Sequence, residues 1–247
     1  MKIFTIDNTI EGLLCALFYS FTEKIVPDTV ENKKIYQPSL DSLAINILTS
    51  KAKSERVKVA LFKYGGDDII AHIKVCLSSC APNALSIAFF YAHYMLEART
   101  DVSTHLDKKC VSDFSYIVQR VLHERHILTG FLRFKESAGG VLYAQYSPDN
   151  DVTYLLAPHF LRRLGHLPFI IHDIKRKKIA ISDGRSIKID YTDIPVCFTP
   201  SEQESACNDL WHRYYNTINI KERQNLRQRT NFFPHRYRNF AFETWEC

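Results

Sequence analysis

The sequence predicts an α+β protein, with a small, mostly antiparallel sheet over about residues 128–190 plus an N-terminal strand, flanked by helices. Apolar residues recur at three- and four-residue spacing near 40–64, 67–78, 83–98 and 110–126, which is helical periodicity. Between 128 and 190 short apolar or aromatic runs separated by turn residues take over. From Ser201 onward the helical spacing returns, now carrying many arginines.

The elements follow in chain order. Residues 2–6, KIFTI, read as a strand, after which Asp7 or Thr9 is placed to cap a helix over about 10–24. Leu13, Leu14, Leu17, Phe18 and Phe21 fall on one face of that helix. Pro27 and Pro38 precede the helical middle third, whose last segment repeats Phe114, Ile117, Val118 and Val121. TGFLRFKESAGGVLYAQYSP places two apolar or aromatic runs around Gly139-Gly140, a hairpin signal that puts Arg133 in an aromatic strand, FLRF. DVTYLLAPHFLRRLG reads as a helix stopped by Gly165. LPFIIHDIKRKKIAISDGRSIKID reads as two or three strands, with turns at 175–177 and at Asp183-Gly184.

A chain of 247 residues can bury a substantial core, and 46% hydrophobic with 24% charged residues is an ordinary globular balance. With 8 Gly and 9 Pro thinly spread there is no linker, repeat or low-complexity stretch. One domain over 1–247 is therefore expected: a helical part over about 8–126, a sheet-rich part over about 127–195, and basic C-terminal helices over about 201–243. No apolar run approaches the roughly 20 residues of a membrane span. The N-terminus carries Asp7 and Glu11 ahead of its apolar run and lacks a small-residue cleavage site, so a cytoplasmic protein without a membrane partner is expected. Of the seven cysteines, at irregular spacing, most read as small buried hydrophobes rather than disulfides.

Several chemistries lack their residues. HERH at 123–126 puts its second histidine at i+3, whereas a zinc-protease helix needs i+4. CLSSCAPN at 76–83 has Asn83 where a three-cysteine iron–sulfur motif needs its last thiolate. No phosphate loop, dinucleotide fingerprint or nucleophile elbow occurs. No metal and no cofactor is expected.

Charge is the remaining signal. Arg162, Arg163, Lys175, Arg176, Lys177, Lys178, Arg185 and Lys188 crowd one stretch opposed by Asp173 and Asp183. Arg213, Lys221, Arg223, Arg227, Arg229, Arg236 and Arg238 are interleaved with Trp211, Tyr214, Tyr215, Phe232, Phe233, Tyr237 and Phe240. Guanidinium forks suit phosphates, and aromatic faces can stack bases. The same pattern also describes a solvated helix whose aromatic stripe is buried.

The ordered segments EGLLCALF, HERHILTGFLRF, PHFLRRL, IIHDIKRKKIAISDG, LWHRYY, ERQN and FFPHRYRNFAFE resemble a bacterial "DNA metabolism protein" family, a domain of unknown function. The resemblance runs from about Phe4 to Glu243. It departs at Phe169 and Arg238, where members carry tryptophan. Members occur fused to uracil-DNA glycosylase domains and encoded beside a radical-SAM protein of DNA modification or repair. Position by position the resemblance implicates Asp7, Glu11, Gly12, Glu124, Phe131, Arg133, Phe134, His159, Phe160, Arg163, Asp173 and Arg176. It continues through Trp211, Tyr215, Glu222, Arg223, Asn225, Pro234, Arg236, Tyr237 and Glu243.

The expected function is nucleic-acid binding, DNA above all, in repair or modification together with a radical-SAM partner. Arg133, Arg163, Arg176, Arg223, Arg227 and Arg236 are the expected phosphate contacts, with Tyr215 and Tyr237 stacking or packing. A second reading is a hydrolase or lyase on a damaged base, with Glu124 as acid–base and His159 orienting the substrate. A third is a protein-interaction adaptor that uses the basic C-terminal segment.

Overall fold

The computed structural model describes residues 1–193, 198–220, 222, 225, 227, 228, 237 and 240, with Ser205 and Tyr215 described by backbone alone. The chain divides into two compact units, Met1–His123 and Glu124–Cys247.

The first unit opens with β1 (Lys2–Ile6), α1 (Ile10–Glu23), β2 (Thr29–Asn32) and β3 (Leu43–Asn46). Both β2 and β3 pair parallel to β1, in the order β2-β1-β3. A parallel pair cannot be joined by a tight turn, and α1 is the crossover from β1 to β2. Thr9 caps α1 by accepting the Gly12 N–H at 3.0 Å. Gly12 is required there, because a Cβ would meet the Asp7 carbonyl oxygen at 2.4 Å. Helices α2 (Lys51–Gly65), α3 (Ile69–Leu77), α4 (Ala84–Ala98) and the first part of α5 (Lys109–Phe131) complete this unit. Phe4, Leu13, Leu17, Leu61, Phe89 and Met95 are fully buried. The Phe4 ring meets Tyr19 and Phe89 edge to face.

Two expectations are corrected here. The N-terminal strand forms its own parallel sheet instead of joining the sheet over 128–190. The segment 40–64 is helical only from Lys51, because 43–46 is strand β3. Its apolar spacing suits a helix locally, but the backbone of β1 leaves a second edge that must be hydrogen-bonded, and β3 supplies that ladder.

The second unit contains the end of α5, then β4 (Lys135–Glu136), β5 (Leu142–Tyr146), α6 (Thr153–Leu164), β6 (Phe169–Asp173), β7 (Lys178–Ser182), β8 (Ile187–Tyr191) and α7 (Glu202–Ile218). Its five described strands lie in chain order, antiparallel except for the β5–β6 pair. That pair is parallel because α6 crosses over between its strands. Three turns sit where the sequence places them. Gly165 follows α6 with φ 64°, Lys177 has φ 52°, and Gly184 has φ 85°. At Gly184 a Cβ would meet the His166 carbonyl oxygen at 2.2 Å, so the turn needs glycine on both counts. The fold is mixed helix and sheet, as the sequence predicts. Among the described residues no helix is long and apolar enough to cross a membrane.

Candidate functional site

In the second unit, the loop 147–152 between β5 and α6 is held from both sides. Glu124, near the end of α5, is 4% exposed and accepts the backbone N–H groups of Asp149 and Asn150, each at 2.9 Å. It also accepts the Asn150 side-chain amide at 2.6 Å and the Tyr237 hydroxyl at 2.7 Å. Burial pushes this carboxyl up, but the Tyr237, Asp149 and Asn150 donors outweigh it, leaving the group below the usual range and ionised. On the other side, Arg176 donates to the Pro148 carbonyl at 3.0 Å and to the Asp149 carbonyl. It also pairs with Asp173 at 2.9 Å.

Asp173 is fully buried because the alternation of β6 turns Phe169, Ile171 and Asp173 inward. Burial raises its carboxyl above the ordinary range, and the Arg176 hydrogen bond and charge offset only part of that. Lys178, opposite Asp173 in the β6–β7 register, reaches Asp151 at 2.6 Å. The Tyr146 hydroxyl meets Thr153 at 2.8 Å. The result is a buried polar network that fixes one loop. Both oxygens of Glu124 already accept hydrogen bonds, so nothing in this arrangement favours a proton-shuttling role for it.

A second cluster lies where the end of α5 meets α6. The last carbonyls of a helix lack intrahelical partners. Here Leu128 O accepts from the Leu132 N–H at 3.0 Å, Thr129 O from Arg163 at 3.2 Å, and Gly130 O from Arg133 at 2.6 Å. Cations at a helix C-terminus also complement its dipole. Arg133 therefore sits just beyond a helix, not in the expected aromatic strand. His159, Arg162 and Arg163 share one face of α6 at i, i+3 and i+4. The Arg163–Thr129 bond ties this face to the α5 terminus. His159 is driven below its ordinary range by burial and by the charges of Arg125, Arg163 and Arg162. Its buried Nε2 has no hydrogen-bond partner among the described residues. No described carboxylate pairs with Arg125, Arg162 or Arg163.

The expected contacts thus separate. Arg163 belongs to this second cluster and is exposed, while Arg133 caps α5 beside it. Arg176 is an internal clamp whose guanidinium is occupied by Asp173 and two carbonyls, which corrects its placement as a phosphate contact. Tyr237 is 3% exposed, so its ring packs inside and offers no face to a base. Arg227 is exposed. Arg223, Arg236 and the Tyr215 side chain lie outside the described residues. Sequence reading missed Arg125 and the Asn150 bridge, and it counted Arg162 in the basic stretch without singling it out. Only Arg162 left a signal, its helical spacing from His159.

The basic run over 162–188 also divides. Arg176 and Lys178 are internal, while Lys177 and Lys188 pair with Asp193 and Asp190. Arg162, Arg163, Lys175 and Arg185 remain exposed with no ion pair to a described residue. Elsewhere Cys76 behaves as core: it is fully buried, its Sγ lies 3.7 Å from the Ala84 carbonyl, and burial pushes the thiol up to about 12.

A family model described as Domain of unknown function (DUF4130) matches residues 82–243. The chain belongs to that family. The match begins just before α4 and covers the polar network, the arginine cluster and α7, whereas the β2-β1-β3 sheet precedes it. No curated protein matches the chain.

Proposed function

We propose that this DUF4130 member binds nucleic acid, with DNA as the polymer, and acts in repair or modification beside a radical-SAM partner. The observation that supports binding is the α6 face that carries His159, Arg162 and Arg163, joined by Arg125 of α5, whose charge also disfavours the His159 cation; no described carboxylate pairs with the three guanidinium groups. Guanidinium groups near a surface in such numbers repel one another, and a phosphate relieves that repulsion while accepting paired N–H bonds. His159 Nε2 adds a buried polar atom with no hydrogen-bond partner among the described residues. The choice of DNA and of the radical-SAM partner rests on the family resemblance alone.

The test is a set of binding titrations with duplex and single-stranded DNA at several salt concentrations. Affinity should fall steeply with salt, because each neutralised phosphate releases counterion. R162Q and R163Q should each weaken binding and lower the log–log slope by about one. A flat slope, or variants that bind like the parent, would remove the reading.

A further inference from the structure

The first unit holds a cleft of about 410 Å³ between α1, α2 and α4, which shares no residue with the cluster just described. Its walls include Phe18, Phe21, Tyr64, Arg56 and Arg99 and contain no carboxylate among the described residues. The Arg56 guanidinium lies 5.1 Å from the centre of the Phe18 ring, and the Lys53 ammonium lies 5.6 Å from the same ring. No described residue pairs ionically with Arg56 or Arg99. Phe21 stacks one face on His93, at 4.6 Å and 12° between planes, yet remains 42% exposed. Phe21 thus keeps open ring area in the same cleft wall as two guanidinium groups that no described carboxylate pairs.

The chemistry of the walls selects the occupant. Flat rings favour a planar aromatic group, two guanidinium groups favour a compact anion, and the absence of acids excludes a cationic ligand. The volume lies within the range of ligand sites and suits one nucleotide, not a folded peptide. Lys51, Lys53 and Lys63 on α2 are exposed and extend the positive field around the opening.

We propose that this cleft binds a single nucleotide, its base against Phe21 and its phosphate on Arg56 and Arg99. The nucleotide could be free or the end of a strand, since both present the same base and phosphate. This inference goes beyond the nucleic-acid reading and does not depend on it, because the two sites share no residue.

The test uses the full chain, titrated calorimetrically with each deoxynucleoside 5′-monophosphate, with the corresponding nucleosides, with inorganic phosphate, and with a short single strand. Monophosphates should bind about tenfold tighter than nucleosides or phosphate alone, since both halves of the ligand are recognised. R56Q and R99Q should each weaken monophosphate binding about tenfold, and F21L about fivefold or more, with melting temperatures near that of the parent. If only the strand responds to these variants, the occupant is a strand terminus. If neither the monophosphates nor the strand responds, or if inorganic phosphate matches the monophosphates, the assignment is overturned. R162Q and R163Q serve as controls that leave monophosphate binding unchanged, so a failure here is distinct from a failure of the DNA reading.

Discussion

Glu124 and Arg176 grip opposite sides of one loop. Glu124 takes the N–H groups of Asp149 and Asn150, and Arg176 takes the carbonyls of Pro148 and Asp149. Backbone groups in a buried connection must be paired, and these two side chains do for 148–150 what a ladder does for a strand. Arg176→Met would leave Asp173 buried without its cation and free two carbonyls. A loss of about 3–5 kcal/mol is expected by chemical denaturation. Glu124→Gln faces amide hydrogens toward donors and should cost about 2–4 kcal/mol. Because both grip the same peptide units, the double variant should lose less than the sum of the two.

The pH dependence follows from the same carboxylates. Glu124 is held below its ordinary value of 4.5, so its contribution is fully present above that pH and is lost as pH falls through the lower folded-state value. Asp173 is raised and works in the opposite direction: the native state takes its proton first, which relieves a buried charge as the solution is acidified. The stability gap between the parent and Glu124→Gln should therefore narrow below about pH 4.5, as measured by denaturant midpoints across pH. A gap that stays constant into strong acid would contradict the held anion.

Tyr237→Phe separates packing from base stacking. The ring is kept and one donor to Glu124 is lost, so stability should drop by about 1–2 kcal/mol. DNA affinity per folded molecule should not change. A selective loss of affinity with unchanged stability would return Tyr237 to the interface.

Arg163→Ala should be mild for the fold. The side chain is exposed and supplies one hydrogen bond to a helix-end carbonyl that water can replace, so the expected loss is within about 1 kcal/mol by thermal unfolding. The salt slope of DNA binding should nevertheless fall by about one unit. A collapse in stability would mark Arg163 as an internal partner instead.

His159 offers a readout of the arginine cluster. Burial, Arg125 on α5, and Arg163 and Arg162 on α6 all disfavour its cation, so the unfolded chain holds the proton better. Unliganded stability should weaken as pH falls below the ordinary value of 6.5. A phosphate placed in the cluster favours the cation, so DNA affinity should rise over the same interval, and His159→Gln should flatten both trends. Binding isotherms at matched ionic strength on either side of that pH are the measurement.

Local chemistry decides what the sequence alone determined. The turns at Lys177 and Gly184, the stop at Gly165, the α1 face of Leu13, Leu14 and Leu17, and the spacing of His159 with Arg162 and Arg163 each follow from contacts within a few residues. Such features are legible because backbone dihedrals and helical period are set at short range. Chain-distant pairing decided the rest. By alternation alone KIAIS would bury Ile179 and Ile181, yet register against β6 turns Lys178, Ala180 and Ser182 inward and leaves Ile181 39% exposed. Glu124 meets Asn150 from 26 residues away and Tyr237 from 113 residues away. Whether an arginine joins such a network, as Arg176 does, or stays at the surface, as Arg163 does, depends on which carboxylates and carbonyls the folded chain brings within about 3 Å. No spacing in the sequence encodes that, because burying a charge is stabilising only once every one of its partners is in place.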